Sequence, residues 1–295
     1  MNLSLSRSFP IAKAALAAAV IACVVALTCS LVGCASGGTD SSSADADNTS
    51  ASTDGKTLRV AMELAYPPFE TKDDAGNPEG LAVDFIRDFG AAYGYDVQIE
   101  NTAWDGLIPS LQSDKADLVI SSMTITDERK QSVDFSDAYA MAQLAILANA
   151  DSGVASIDDL NQPGKKVAVK TGSTGDVYAT KNLTNAEIVR LADESACVTE
   201  VVQGKADGFL YDQLTIYRNH QANPDTTEAV FIPFQDAEEW GIAVKKGNTE
   251  LLDQLNAFIA QSKTDGEFDR LTEKYLADEK KAFDQYGFKW FFDFE

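Results

Sequence analysis

The chain has 295 residues and a formal net charge of −22, with 46 acidic residues against 24 basic ones. So acidic a chain lacks the basic surface that nucleic-acid binding requires, which argues against a nucleic-acid partner. Its single histidine and four cysteines do not have the spacing of a zinc site or of a disulfide framework. We therefore expect no metal and no cofactor.

The N-terminal segment has the pattern of a secretory signal. Arg7 and Lys13 precede an apolar run over residues 14–32, and no acidic residue occurs before Asp40. A basic start followed by an apolar stretch is typical of a cleaved signal peptide, expected here over residues 1–33. The run is also long enough to span a bilayer, so a membrane-spanning helix is the alternative.

Cys34 closes the segment Leu31-Val32-Gly33-Cys34, which resembles the lipobox of bacterial lipoproteins. This resemblance implies cleavage before Cys34 and acylation of its thiol, which would anchor the protein to a membrane. Residues 35–56 are rich in Ser, Asp, Ala, Thr and Gly. Such a composition cannot bury a core, so residues 34–56 are interpreted as a lipidated cysteine and a flexible linker.

Two successive runs of alternating strands and helices follow the linker. Each run reads β-α-β-α-β, which predicts two α/β lobes with mostly parallel sheets flanked by helices. Apolar periodicity predicts strands over 58–62, 95–100, 117–120, 166–169, 186–190 and 207–210, and helices over 80–94, 107–111, from 174, 193–204, 213–219, 251–259 and 268–275.

The strand over residues 117–120 ends in a cluster of hydroxyls. Ser121, Ser122 and Thr124 follow it, and Arg129 comes five residues after Thr124. Ligands of open α/β sheets bind at the carboxyl ends of strands, and arginine binds a carboxylate through two parallel hydrogen bonds. The segment therefore predicts a site for a small anion. The alternative is a capped strand end with Arg129 on the surface.

Six segments, taken in order, resemble the extracellular solute-binding proteins of family 3, the polar amino-acid receptors of ABC importers. The resemblance implies a two-lobed, type II periplasmic-binding-protein-like fold that closes on its ligand. Lobe 1 would comprise residues 57–147 and 240–276, lobe 2 residues 148–239, and a C-terminal tail residues 277–295, with crossings near 145–150 and 241–246. The segments are Tyr66 to Phe69, Gly80 to Asp84, Trp104 to Pro109, Thr124 to Ser136, Lys170 to Thr174 and Asp207 to Asp212.

The resemblance also implies which residues bind the α-groups of an amino acid. Arg129 would bind the α-carboxylate, with further donors from Thr124, Ser173 and Thr174. Asp212 would pair the α-ammonium. The alternative for Ser173, Thr174 and Asp212 is the capping of helices that begin at these positions.

Other residues in the matching segments would surround the ligand side chain. Tyr66 and Trp104 resemble its aromatic walls, and their alternative is core packing. Ser121 and Ser122 would direct hydroxyls at the ligand or cap the strand end.

Glu63 and Lys170 are the expected selectors of the ligand side chain. Glu63 alone suits an amide or a cation, whereas Lys170 repels a cation or neutralises Glu63. The opposed pair therefore favours a neutral amide such as glutamine over a basic side chain. The alternative is that both side chains point into solvent.

Together these features predict a lipid-anchored, extracytoplasmic and monomeric receptor that delivers a polar L-amino acid, glutamine-like or basic, to an ABC permease. No catalytic residue is expected, since His220 lies in a polar stretch and no Ser-His-Asp set is present. A sensing adaptor and an extracytoplasmic dehydratase are the alternatives. The aromatic tail after Phe283 is interpreted either as packed against a lobe or as a partner or membrane contact.

Overall fold

The computed structural model describes residues 56–286 and 289–294. The predictions for the signal peptide, for Cys34 and for the linker therefore lie outside the described residues, apart from Lys56. Within the described part of the chain, no helix is long and apolar enough to cross a membrane.

The strands agree with the predicted runs of alternating and buried apolar residues and add several short segments. In chain order they are β1 (Lys56–Met62), β2 (Thr71–Lys72), β3 (Pro78–Glu79), β4 (Tyr95–Asn101), β5 (Leu118–Val119), β6 (Val133–Phe135), β7 (Ala140–Ala142), β8 (Leu144–Asn149), β9 (Lys166–Lys170), β10 (Glu187–Leu191), β11 (Gly208–Asp212), β12 (Thr227–Val230), β13 (Glu238–Trp240) and β14 (Ala243–Lys245).

The helices lie around the sheets, and the longer ones bury apolar side chains. They are α1 (Leu81–Tyr93), α2 (Leu107–Gln112), α3 (Asp127–Lys130), α4 (Ile157–Leu160), α5 (Thr174–Asn182), α6 (Glu194–Val202), α7 (Gln213–Ala222), α8 (Thr249–Ser262), α9 (Glu267–Tyr275) and α10 (Ala277–Tyr286). Short 3-10 turns cover Trp104–Gly106 and Ala150–Ser152.

Two five-stranded sheets with the same arrangement form the two lobes. Their strand orders are β4-β1-β5-β14-β6 and β10-β9-β11-β8-β12. In each sheet the first three strands are parallel, as predicted, and the fourth, β14 or β8, runs antiparallel to both of its neighbours, so that the fifth runs in the same direction as the first three. The sequence does not predict the antiparallel strands, because β8 is an apolar run buried almost throughout and β14 is only three residues long.

The chain crosses between the lobes twice, through β7 and β13. These two strands pair in antiparallel register, with Trp240 opposite Ala140. Both crossings lie earlier than the sequence indicates. The expected first crossing, at residues 145–150, falls within and just after β8, which pairs with β11 along Leu144–Ala148. The return at β13 likewise precedes the expected residues 241–246.

The aromatic C-terminal segment packs onto the first lobe. Phe283, Trp290 and Phe291 are buried and belong to the same apolar cluster as Phe69. The Met141 amide on β7 donates to the Phe291 carbonyl at 2.7 Å. Of the two interpretations of the tail, packing is the one these side chains fit.

Replacing Phe291 by alanine should lower the free energy of unfolding by about 3–5 kcal/mol, the usual range for a buried phenylalanine. The Phe291 ring lies 5.2 Å from Phe69 and 5.5 Å from Trp240, centroid to centroid, so the substitution leaves a cavity behind both rings. Urea unfolding measures the loss. As a control, Ile232→Ala removes a side chain that is 62% exposed and should change stability by less than about 0.5 kcal/mol. Equal effects of the two substitutions would contradict the packing.

Candidate functional site

A cavity of about 480 Å³, including its opening, lies between the two sheets. Strands from both sheets end beside it, since Glu63 follows β1 and Asp212 ends β11. This is the position at which α/β sheets bind ligands, and the volume suits a small molecule. All predicted ligand-binding residues except Lys170 line it: Glu63, Tyr66, Trp104, Ser121, Ser122, Thr124, Arg129, Ser173, Thr174 and Asp212.

Arg129 is half-buried in the cleft, contrary to the alternative of a surface residue. Its Nη1 donates to the Thr124 carbonyl at 2.7 Å and its Nη2 donates to the Gly172 carbonyl of the other lobe at 3.1 Å. The guanidinium carbon lies 5.2 Å from the centroid of the Trp104 ring. Burial lowers the pKa of Arg129, yet a guanidinium stays charged in proteins. The site therefore holds a permanent cation.

Asp212 both caps a helix and faces the cleft. Its Oδ1 accepts from the amides of Leu214 and Thr215, at 2.9 and 3.1 Å, at the start of α7. The same oxygen accepts from the Tyr66 hydroxyl of the first lobe at 2.7 Å. Burial raises the pKa of Asp212, and these hydrogen bonds oppose that rise. Capping and a position at the ligand site are thus compatible.

Glu63 and Lys170 form an ion pair across the lobes. The Lys170 ammonium donates to the Glu63 carboxylate, and the two side chains are 5% and 13% exposed. Their alternative, that both point into solvent, is therefore wrong. Lys170 does not line the cavity and lies 5.1 Å from the Trp104 ring centroid. Its charge is directed at Glu63.

The serines after β5 contact two acidic residues of the cleft, Glu63 through its backbone and Glu70 through its side chain. The Ser121 hydroxyl accepts from the Glu63 amide at 3.0 Å, and the Ser122 hydroxyl donates to the Glu70 carboxylate at 3.1 Å. Ser122 has a φ of +46°, a left-handed conformation that is uncommon for residues other than glycine. Such strain is frequent at ligand sites.

Glu70 is a cleft residue that the sequence analysis does not identify. It is 1% exposed, and burial raises the pKa of its carboxyl well above the usual value. The Ser122 hydrogen bond and Lys170 oppose the rise, while Glu63 and Asp212 add to it. Its only signal in the sequence is an acidic residue directly after Pro67-Pro68-Phe69.

Glu194 is a further acidic residue near the cleft whose pKa is shifted. Burial, and then the charge of Asp212, raise its pKa to about 8. Carboxyls that crowd one another in a poorly solvated site cannot all ionise at their usual pKa. The cleft is therefore a place where a positive charge is stabilised.

Four other unpredicted residues line the cavity: Leu144, Tyr211, Glu238 and Trp240. The Glu238 Oε2 accepts from the Thr124 hydroxyl at 2.9 Å and from the Thr174 hydroxyl at 2.7 Å. Each hydroxyl has a single proton, so in this arrangement neither threonine donates its side-chain proton to a ligand. Ser173 caps α5, accepting from the Asp176 amide at 3.2 Å, and keeps its own proton for another partner.

A two-lobed α/β fold with a hinged cleft that holds an arginine on one lobe and an aspartate on the other defines a type II solute-binding protein. The chain belongs to the bacterial extracellular solute-binding proteins, family 3, which match residues 58–278.

Relatives and solved structures cover the same region. A probable histidine-binding protein of Neisseria gonorrhoeae is 36% identical over 228 residues, 76% of this chain and 85% of that protein. An ancestral arginine-binding protein bound to arginine is 36% identical with a TM-score of 0.69, over 75% of this chain and 98% of the other. An ancestral amino-acid-binding protein described as a precursor of cyclohexadienyl dehydratase is 38% identical with a TM-score of 0.68, over 74% and 94%.

Proposed function

We propose that this solute-binding protein captures a free L-amino acid with a cationic side chain and delivers it to an ABC permease. The observation that carries the proposal is the charge of the cleft. Four carboxyl groups line the cavity, those of Glu63, Glu70, Asp212 and Glu238, and Lys170 pairs with Glu63, which leaves three carboxyl groups facing the single charge of Arg129. A cationic side chain reduces this imbalance, and a neutral one does not.

The α-groups of the amino acid bind to opposite lobes. Arg129 on the first lobe takes the α-carboxylate, because its guanidinium has five N–H groups and the described bonds to Thr124 and Gly172 use two. Asp212 on the second lobe takes the α-ammonium. A ligand that lacks either group leaves a buried charge unpaired, which costs several kcal/mol.

Glu70 receives the cationic end of the side chain. Lys170 already neutralises Glu63, so Glu63 does not select for charge, and the preference for a neutral amide inferred from this pair is replaced by a preference for a cation. Trp104 and Tyr66 line the path between the α-groups and Glu70 as apolar walls that accept an aliphatic stem and attract a cation. The relatives named for histidine and arginine support this class of ligand.

The protein acts by binding and not by catalysis. Glu70 is the residue best suited to act as an acid, because its pKa is raised. However, the structural neighbour linked to a dehydratase is itself described as an amino-acid-binding protein. Prolonged incubation with amino acids, followed by mass spectrometry, should show no product, and any turnover would contradict this part of the proposal.

A thermal-shift screen against the common amino acids tests the function. A free ligand concentration of a hundred times Kd adds about 2.7 kcal/mol of stability, so L-arginine, L-lysine or L-histidine should raise the melting temperature. Arg129→Ala should abolish the shift, since the α-carboxylate loses its partner. If no amino acid raised the melting temperature, the proposal would be contradicted.

Calorimetry of Glu70→Gln tests the charge selection. The substitution should weaken L-arginine binding by about 2–5 kcal/mol, the cost of removing one partner of a buried charge pair. A bound cation lowers the raised pKa of Glu70, so L-arginine should release more protons from the wild type than from the variant, in which Asp212 and Glu194 still titrate. Titrations in two buffers of different ionisation enthalpy measure that release.

The exposed Glu79→Gln is the matched control for Glu70→Gln, because it removes the same charge outside the cleft. It should leave both affinity and proton release unchanged. Tighter binding of L-glutamine than of L-arginine by the wild type would contradict the cationic ligand and leave the amino-acid receptor intact.

We further propose that Cys34 carries a lipid that tethers the protein outside the cell membrane. The lipobox-like segment before it supports this. Cells grown with a radiolabelled fatty acid should label the wild type and not Cys34→Ala, whereas Cys29→Ala should still be labelled. A membrane-bound wild type without label would instead indicate an uncleaved signal or a spanning helix.

A further inference from the structure

Glu238 lies on the hinge strand β13, and its carboxylate contacts both lobes. Its Oε2 accepts from the hydroxyl of Thr124 in the first lobe and from that of Thr174 in the second, and its Oε1 accepts from the Gln235 amide at 2.7 Å. We propose that Glu238 is a latch that holds the cleft closed by binding one hydroxyl from each lobe. The latch rests on solute capture by closure and not on the identity of the ligand.

One side of the latch is fixed to the first lobe. Thr124 forms an isolated β-bridge with Trp240, and the Ile125 amide donates to the Glu239 carbonyl at 2.8 Å. Backbone contacts therefore keep Thr124 beside β13 whatever the position of the second lobe. The hydrogen bond to Thr124 fixes the orientation of the Glu238 carboxylate, so that Oε2 is available to the second lobe.

The bond between Glu238 and Thr174 of the second lobe is the part of the latch that forms when the lobes close. Thr174 is the first residue of α5 in the second lobe and reaches the same oxygen, Glu238 Oε2, at 2.7 Å. Two hydroxyls from different lobes meet one atom only when the lobes are together. Because the acceptor is a carboxylate, the bond is stronger than one between neutral groups.

The latch is separable from the groups proposed to bind the ligand charges. Lys170 with Glu63, and Tyr66 with Asp212, also join the lobes, and each uses a residue proposed to contact or select the ligand. The latch residues line the same cavity, but Glu238 takes the two threonine protons, so the α-groups are assigned to Arg129 and Asp212 alone. Glu238 lies beside Arg129, whose pKa its charge raises against the effect of burial. Changing Glu238 leaves both Arg129 and Asp212 in place.

The closed fraction of the purified protein, measured without added amino acid, tests the latch. Spin labels at Asp105→Cys, next to Trp104 in the first lobe, and at Ala192→Cys, just after the carboxyl end of β10 in the second, report the width of the cleft by electron–electron resonance. Both positions are exposed and Cys197 is buried, and Cys23, Cys29 and Cys34 are replaced by serine in every labelled protein, so the labels react at the intended sites.

Glu238→Ala should lower the ratio of closed to open molecules on the order of tenfold, the effect of losing a hydrogen bond to a charged acceptor. Thr174→Val should lower it similarly, and the double variant should lower it no further, because both changes remove the same bond between the lobes, that of Glu238 to Thr174. Glu238→Gln, which keeps an acceptor oxygen, should fall between wild type and Glu238→Ala.

Glu239→Gln is the matched control, since Glu239 is the exposed neighbour on β13 and carries the same charge. It should leave the distance distribution unchanged. Three results would overturn the latch: a wild type with the open distance alone, additive losses in the double variant, or an equal loss with Glu239→Gln. None of them depends on the amino-acid screen, so the latch and the proposed function fail separately.

Discussion

The structure depends on one constraint: the buried polar groups of the cleft find their partners on the opposite lobe. Lys170 neutralises Glu63, Tyr66 donates to Asp212, and Arg129 donates to the Gly172 carbonyl across the same gap. A buried charge or donor without a partner costs more than its hydrogen bond contributes. Closing the lobes and satisfying these groups are therefore one event, which is the property that a protein capturing its ligand by closure requires.

The polar groups of the two lobes face one another because both lobes have the same sheet arrangement. Each lobe contributes parallel strands whose carboxyl ends face the other lobe, and each crossing is followed by a strand, β8 or β14, that runs antiparallel into its sheet. The C-terminal segment supports both crossings. The Phe291 carbonyl accepts from Met141 on β7, and its ring packs against Trp240 on β13, which in turn contacts Tyr66 at the cleft. Ligand wall, hinge and tail thus form one apolar stack.

The parallel strands and their helices were predictable, because alternation and helical spacing are local properties. Residues that follow strand ends, such as Ser121, Arg129 and Asp212, were predictable for the same reason and from the family resemblance. Glu70 and Glu238 were not. In the sequence neither acidic residue follows a predicted strand end, and only contacts with Ser122, or with Thr124 and Thr174, place them in the cleft. The crossings were misplaced because β8 resembles any buried strand and carries no mark of the lobe to which it belongs.

Glu70 also changes which of the two expected ligand classes, glutamine-like or basic, we propose. Judged alone, the opposed pair of Glu63 and Lys170 balances to a neutral site, and a neutral amide is then the better fit. Glu70 adds a buried carboxyl that forms no ion pair within the described part of the chain, and burial raises the pKa of Glu70, Asp212 and Glu194. A cation arriving beside Glu70 stabilises its ionised form and is stabilised by it in return. The selectivity of such a cleft follows from the sum of its charges, which no single pair of residues determines.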